Sequence, residues 1–286
     1  MRTEGMQTLE IFQSLWALQP HGPDGERIPV EQTFEMVADA GYDGLTIEGG
    51  PDDIPDMLAT KPLYDRLGLG CNINAFPKSV EGLRPFLHMA KDFNAIGCNI
   101  IGQVPALTLA EMLPILRAWI EMAEEEGVAI QFETHRNCIT NDLYTTLELI
   151  DAIPEMRLCA DLSHFVVDRE FRYPISDSDE ALIQRILARS DTFQGRIASR
   201  EQIQVAIDFP QNRKWYDLFA KWWEDGLRGW RAQNPQGACN FLCELGPPEY
   251  AITGADGREL SNRWEEALQI RDRVRGIWEK LEAEQE

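Results

Sequence analysis

The chain has 286 residues, 44% of them hydrophobic, with Asp+Glu 48 against Lys+Arg 27 and a formal net charge of −21. Such a length and composition fit an ordinary globular α/β protein and exclude a disordered one. The acidic balance argues against nucleic acid or an anionic membrane as partner, because both need a basic surface.

No apolar run in the sequence reaches the ~18 residues of a membrane span. Glu4 and Glu10 interrupt any charged-then-apolar leader pattern at the N-terminus. Cys71, Cys98, Cys138, Cys159, Cys239 and Cys243 form no CxxC pair, and most lie in apolar, strand-like runs. They are expected to be buried reduced thiols in a cytoplasmic protein.

In chain order, Leu9 to Trp16 reads as a first strand and Pro20 to Gly25 as a turn-rich loop. Pro29 to Ala40 reads as a helix stopped by Gly41, and Tyr42 to Glu48 as a second strand. A short helix from Ile54 to Asp65 precedes a third strand, Leu69 to Asn74. Val80 to Ile96 reads as a helix and Cys98 to Gln103 as a fourth strand. Thr108-x-x-Glu111 is a capping box that opens a helix ending at Glu126, with Pro114 expected to kink it or delay its start.

Val128 to Glu133 is the fifth strand, followed by a helix from Asn141 to Ile153. Arg157 to Asp161 is the sixth strand, with His164 expected on the loop beyond it. A helix from Ser178 to Arg189 leads to a rather polar seventh strand, Phe193 to Ser199. Lys214 to Trp230 carries Trp215, Phe219, Trp222, Trp223 and Trp230 at helical spacing. Such a stripe is usually packing, and its width suggests a homo-oligomer contact through helix 214–230. Ala238 to Glu244 is the eighth strand, and Asn262-x-x-Glu265 caps a final helix, after which Ala283 to Glu286 should fray.

Eight strands alternating with helices over ~250 residues predict a single (β/α)8 barrel domain spanning 1–286. An open doubly wound sheet would carry a glycine-rich phosphate loop after strand one, and Trp16 to Pro20 is nothing of the kind.

Three apolar strands end in acids, at Glu133, Asp161 and Glu244. The carboxyl ends of barrel strands are where sites are built. Side chains alternate along a strand, so Gln131 would point inward with Glu133, and Asn240 and Leu242 with Glu244. Three converging carboxylates repel one another and must hold protons or a cation. A divalent metal is the simpler solution, with Mg²⁺ or Mn²⁺ favoured by oxygen ligands and Co²⁺, Fe²⁺ or Zn²⁺ added as options by an imidazole.

At these residues the chain resembles the xylose isomerase-like barrels, the sugar isomerase/epimerase superfamily that also includes endonuclease IV. The resemblance covers nearly the whole chain. It rests on Glu133 ending strand five, the D-x-x-H of Asp161 and His164, and the run Cys243-Glu244-Leu245-Gly246-Pro247. It implies Glu133, Asp161 and Glu244 as ligands of one divalent metal, Glu133 and Glu244 as the acid/base pair, and His164 against substrate or metal-bound water. The substrate implied is a sugar or polyol. The family's metal-binding histidine on strand seven is missing: Ala198 stands at that position, with Ser199 as the alternative register. Arg200 and Gln204 resemble the family's continuation beyond it. His21, Glu48, Asn72, Gln103 and His135 are further candidates to line the mouth and bind substrate hydroxyls.

The function expected is an isomerase or epimerase of a sugar or related hydroxy-ketone, working through an enediolate. A dehydratase, which passes through a similar enediolate, is a close variant. A barrel that has lost its chemistry and binds a polyol or a protein partner is the alternative from another class, motivated by Ala198. DNA-repair chemistry of the endonuclease IV kind is argued against by four histidines and the charge of −21.

Overall fold

Each apolar run anticipated as a strand forms one, and the strands pair in sequence order. The computed structural model describes residues 6–19 and 26–284. The elements run β1 (Gln7–Ser14), α1 (Val30–Asp39), β2 (Gly44–Gly49), α2 (Ile54–Ala59), α3 (Lys61–Leu67), β3 (Gly70–Ala75), α4 (Arg84–Asp92), β4 (Cys98–Ile100), α5 (Leu109–Glu126), β5 (Ile130–Glu133), α6 (Leu143–Ala152), β6 (Leu158–Ala160), α7 (Leu162–Asp168), α8 (Asp177–Leu187), β7 (Ser190–Gly195), α9 (Arg213–Gln233), β8 (Gly237–Cys243) and α10 (Arg263–Ala283). The strands form a closed barrel in the order β1 to β8. β8 closes on β1 in parallel, from Gln7 opposite Gly237 to Gln13 opposite Cys243. This is a (β/α)8 barrel. The loop from Pro20 to Gly25, with His21, and the last two residues of the tail lie outside the described residues.

Local signals set most helix ends. The Thr108 hydroxyl accepts from the Glu111 N–H at 3.3 Å, while the Glu111 carboxylate accepts from the N–H of Leu107 and Thr108. α5 therefore starts at Leu109 and runs through Pro114 without delay. Gly127, at φ 69, ends it in the left-handed conformation glycine adopts freely. The helix anticipated from Ile54 to Asp65 is broken in two at Thr60. The one anticipated to reach Ile96 stops at Asp92, and Asn94 follows with a positive φ.

The outward strand faces pack against the helices. Phe132 stacks on Trp119 with centroids 6.3 Å apart, and Phe241 meets Trp223 edge-on at 5.3 Å. Each such fully buried large side chain contributes about 1.5–3 kcal/mol. The Trp stripe of α9 is buried within the chain itself. The Trp222 indole donates to Glu180 of α8 at 3.0 Å, that of Trp223 to the Gln194 carbonyl of β7 at 3.2 Å, and Trp230 lies 6.2 Å from Trp278 of α10. Its width comes from being wedged between the barrel and two helices.

β7 is the main correction in register. It spans Ser190–Gly195, not Phe193 to Ser199. Its first residues are polar but satisfied: the Ser190 hydroxyl donates to the Ile186 carbonyl at 2.8 Å, and Asp191 pairs with Arg157 at 2.6 Å. Gly195 opposes Cys243. A Cβ on Gly195 would lie 2.7 Å from Ile270 and 2.8 Å from Phe241, so only glycine lets the strand pass here. The residue that β7 delivers to the mouth is therefore Arg196.

Candidate active site

Glu133 ends β5, Asp161 follows β6, Arg196 follows β7 and Glu244 follows β8, so the four emerge at one end of the barrel. All four are buried. Alternation puts Gln131 and Glu133, Gln194 and Arg196, and Leu242 and Glu244 on the inner face. Glu133 Oε2 accepts from Gln194 Nε2 at 2.8 Å and from the amide of Asn99, which also donates to Asn74 Oδ1 at 3.1 Å. The anticipated convergence of Glu133, Asp161 and Glu244 is what the geometry displays.

Asp161 has two tasks. It is the N-cap of α7, with Oδ1 accepting from the Ser163 N–H at 3.0 Å and from the Ser163 hydroxyl at 2.5 Å. Oδ2 is left facing the site, 3.5 Å from His164 Nε2 and 3.6 Å from Arg196 Nη1. His164 is the third residue of α7 rather than a loop residue, because the Asp161 cap starts a helix at once. His135 lies against it, with ring centroids 4.2 Å apart.

Arg196 was missed in the sequence, because the anticipated strand seven began three residues late. Its Nη2 lies 3.1 Å from Glu244 Oε1, and Nε donates to the Glu244 carbonyl at 3.2 Å. The Tyr250 ring covers its guanidinium at 4.9 Å. Arg136 in turn sits 5.0 Å from the same ring and donates to the Tyr250 hydroxyl at 2.7 Å. A Cβ on Gly246 would come within 2.8 Å of the Tyr250 ring and 2.5 Å of Trp16, so a glycine there admits this cover.

The other candidates divide. Glu48, at the end of β2, joins the site as a fourth acid, held near Asn74 and Glu244. Asn72 does not join it: with Gln131, Thr192 and Asn240 it lines a cavity of about 440 Å³ that is also lined by the starts of the strands. Asn74, two residues on and on the same face, takes the place expected of it. Gln103 lies in the loop beyond β4, where its N–H donates to the Pro77 carbonyl at 3.0 Å. Arg200 is turned away and pairs with Glu170 at 2.6 Å. Gln204 spends both ends of its amide on Gly246, accepting from its N–H at 2.7 Å and donating to its carbonyl at 3.0 Å, and so braces the run after Glu244.

Electrostatics follow from burial. Desolvation pushes Glu244 up to about 7, with Arg196 pulling against it and Asp161 adding to it. Burial and the charge of Glu244 push Glu48 up to about 8. Burial, then Glu244 and Asp161, hold Glu133 well above the usual carboxylate range. Burial also lowers His135 to about 4, and burial, with help from His135, holds His164 well below its ordinary value. Burial works against the charge of Arg196, but Asp161 and Glu244 overcome it and hold the guanidinium protonated.

A divalent ion does not fit the expected carboxylate set as it stands. Glu244 and Asp161 are turned to Arg196, which occupies the space between them. Glu133, His135 and His164 offer one ligand atom each within 4.8 Å of one another. His135 suits that role: Nδ1 faces the Arg136 carbonyl and carries the proton, which leaves Nε2 with its lone pair. His164 is set the other way. Its Nδ1 faces the Arg136 N–H at 3.3 Å, so its proton belongs on Nε2. A metal-bound imidazole donates its second N–H to an acceptor, the reverse of what His164 meets.

No protein-family model matches the chain, and no curated protein sequence matches it. Among solved structures, an L-ribulose 3-epimerase is 16% identical, with a TM-score of 0.64 over 97% of each chain. A D-allulose 3-epimerase from Methylomonas sp., in complex with D-allulose, is 14% identical, with a TM-score of 0.60 over 96% of this chain and 99% of that one. A probable 3-DHS dehydratase from Bacillus anthracis is 14% identical, with a TM-score of 0.53 over 82% of this chain and 92% of that one. At these identities the likeness is one of fold: the chain shares the (β/α)8 barrel with these proteins, in keeping with its resemblance to the xylose isomerase-like barrels.

Proposed function

We propose that the chain is an isomerase or epimerase that moves a proton beside the carbonyl of a sugar or related hydroxy-ketone. One observation carries this reading: two buried carboxylates, Glu133 and Glu244, face the same mouth from β5 and β8, and burial raises both above the usual carboxylate range, Glu244 to about 7. A general acid or base works best when its pKa lies near the working pH. Glu244, beside Arg196, removes the proton. Glu133, which burial and the neighbouring acids hold well above the usual carboxylate range, returns one from the opposite side. Asn99 and Gln194 fix the Glu133 carboxyl, and Glu48, Asn74 and His164 are placed to hold substrate hydroxyls. The fold shared with two sugar 3-epimerases supports the substrate class. The unpaired cysteines support a reducing compartment, the cytoplasm. Among the described residues no helix is long and apolar enough to cross a membrane.

Incubating the protein with a panel of ketopentoses, ketohexoses and shorter hydroxy-ketones in D₂O tests the proposal by NMR. Deuterium should enter at the carbon next to the carbonyl, and product identity separates epimerase, isomerase and dehydratase. No exchange with any member of the panel would leave the second reading, a barrel that binds without turnover, which the Arg196–Glu244 pair favours.

A further inference from the structure

Among the described residues, Arg196 is the cation lodged among the buried acids of the mouth, and its placement is specific. It emerges from β7 one residue after a glycine that no other residue can replace without a clash. Two of its nitrogens are committed to Glu244, one to the backbone carbonyl and one to the carboxylate. The third, Nη1, is buried and has no hydrogen-bond partner. Among the described residues, Asp161 Oδ2, His164 Nε2 and Glu244 Oε2 beside it are likewise buried without hydrogen-bond partners. Each belongs to a residue that faces Arg196 or Asp161 at 3.1–3.6 Å. Unsatisfied buried polar atoms cost about 1–3 kcal/mol each, so a group of them around one guanidinium calls for a polar ligand.

We propose that Arg196 is the electrophile of this site: its guanidinium stands where a divalent cation would otherwise balance the carboxylates, and Nη1 binds the substrate's carbonyl oxygen. This rests on the reading of the chain as an enediolate-forming isomerase or epimerase. A guanidinium is always charged and presents a planar fork of donors, so it stabilises an oxyanion without an ion being recruited. In the step it serves, the C–H bond beside the carbonyl breaks and its proton goes to Glu244. The freed electron pair forms the C=C bond, and the carbonyl π pair moves onto oxygen, where Nη1–H meets the charge. Return of a proton to carbon from Glu133 restores the carbonyl, and no oxidant or reductant is consumed. Ala198 fits the same picture, since a site with its own cation has no use for the metal-binding histidine that the sequence lacks.

Manganese binding tests the placement without any substrate. The wild-type protein, titrated with Mn²⁺ and followed by electron paramagnetic resonance, should show no bound ion below millimolar concentration. Arg196→Met removes the charge, leaves the acids facing one another, and should tighten Mn²⁺ binding by about tenfold or more, on the scale of ligand-environment effects on metal sites. Arg196→Lys, which keeps the charge, should bind no better than wild type, and Arg196→Gln, which removes it, stands in for the Met variant if that one does not fold. With an exchanging substrate in hand, turnover should survive exhaustive treatment with chelator. It should fall in Arg196→Met and recover in part when guanidinium ion is added to Arg196→Ala. Micromolar Mn²⁺ binding by the wild type, or activity lost to chelator and regained with metal, overturns the proposal while leaving the isomerase reading intact. Absence of exchange on every ketose overturns that reading, and the Mn²⁺ titrations still decide whether Arg196 holds the cation's place.

Discussion

Arg136 and Tyr250 meet above the buried acids, 114 residues apart in sequence, with Arg136 Nη2 donating to the Tyr250 hydroxyl at 2.7 Å. The Tyr250 ring lies between two guanidinium groups, that of exposed Arg136 at 5.0 Å and that of buried Arg196 at 4.9 Å. The pair forms the cover between the acids and solvent. Tyr250→Phe keeps the ring and removes the hydrogen bond, worth about 1 kcal/mol. It should raise KM by about fivefold with little change in kcat, since ~1.4 kcal/mol corresponds to tenfold. Steady-state kinetics check this, and equal KM values would show that the cover is not closed over bound substrate.

Glu244→Gln preserves shape and removes the base. Exchange into substrate should fall by about 10²–10⁴-fold, the usual share of a general base. Circular dichroism should show the fold unchanged. In the wild type the base acts when ionised, so activity should rise with pH through about 7, the value to which burial lifts Glu244. Arg196 pulls that value down, so Arg196→Met should move the rising limb to higher pH. A flat pH profile would remove Glu244 from the role.

Restoring a histidine at Ala198 should not build a metal site. Ala198 is fully buried in the apolar core, two residues beyond Arg196, with Ile197 and Val205 in the same cluster. The added ring overpacks this region and should cost about 1–3 kcal/mol. Urea unfolding measures that loss, and calorimetry with Mn²⁺ should give no gain in affinity. Tighter Mn²⁺ binding by Ala198→His would place the side chain among the acids after all.

Glu266, in the first turn of α10, gives a stability prediction. Burial lifts it from 4.5 to about 7, against the pull of the Ile207 N–H, which its carboxylate accepts at 2.9 Å. Below the unfolded value both states carry the proton. As pH rises toward the folded value, the unfolded chain has released its proton and the folded one has not, so stability falls with pH. The loss approaches ~3 kcal/mol once both have ionised. Glu266→Gln keeps an acceptor for Ile207 and is free of this loss. It should match wild type at about pH 4 and exceed it by roughly 2–3 kcal/mol at about pH 8. A pH-independent difference between the two proteins would show that Glu266 is already ionised in the fold.

The barrel and the acids of its mouth were legible in the sequence because both are local. Apolar runs such as Leu158 to Ala160 are buried along their whole length, as a parallel strand covered on both faces is, and Glu133, Asp161 and Glu244 each stand at the end of a strand-like run. Thr108-x-x-Glu111 and Gly127 fixed the ends of α5 for the same reason, since capping is decided within one turn. What the tertiary structure decided is register and charge balance. Ser190 and Asp191 look like loop residues until Ile186 and Arg157 satisfy them from neighbouring elements, and that pairing moves β7 back by three residues. The shift exchanges Ala198 for Arg196 at the mouth. One residue of slip turns a side chain from one face of a strand to the other, and hydrophobic pattern cannot fix it in a strand this polar. Asn72 and Asn74 share a face for the same period-two reason, and only the closed barrel determines which of them lies at the end that carries the acids. A guanidinium among three carboxylates is a balance of charges from four different strands, and it exists only once the barrel closes.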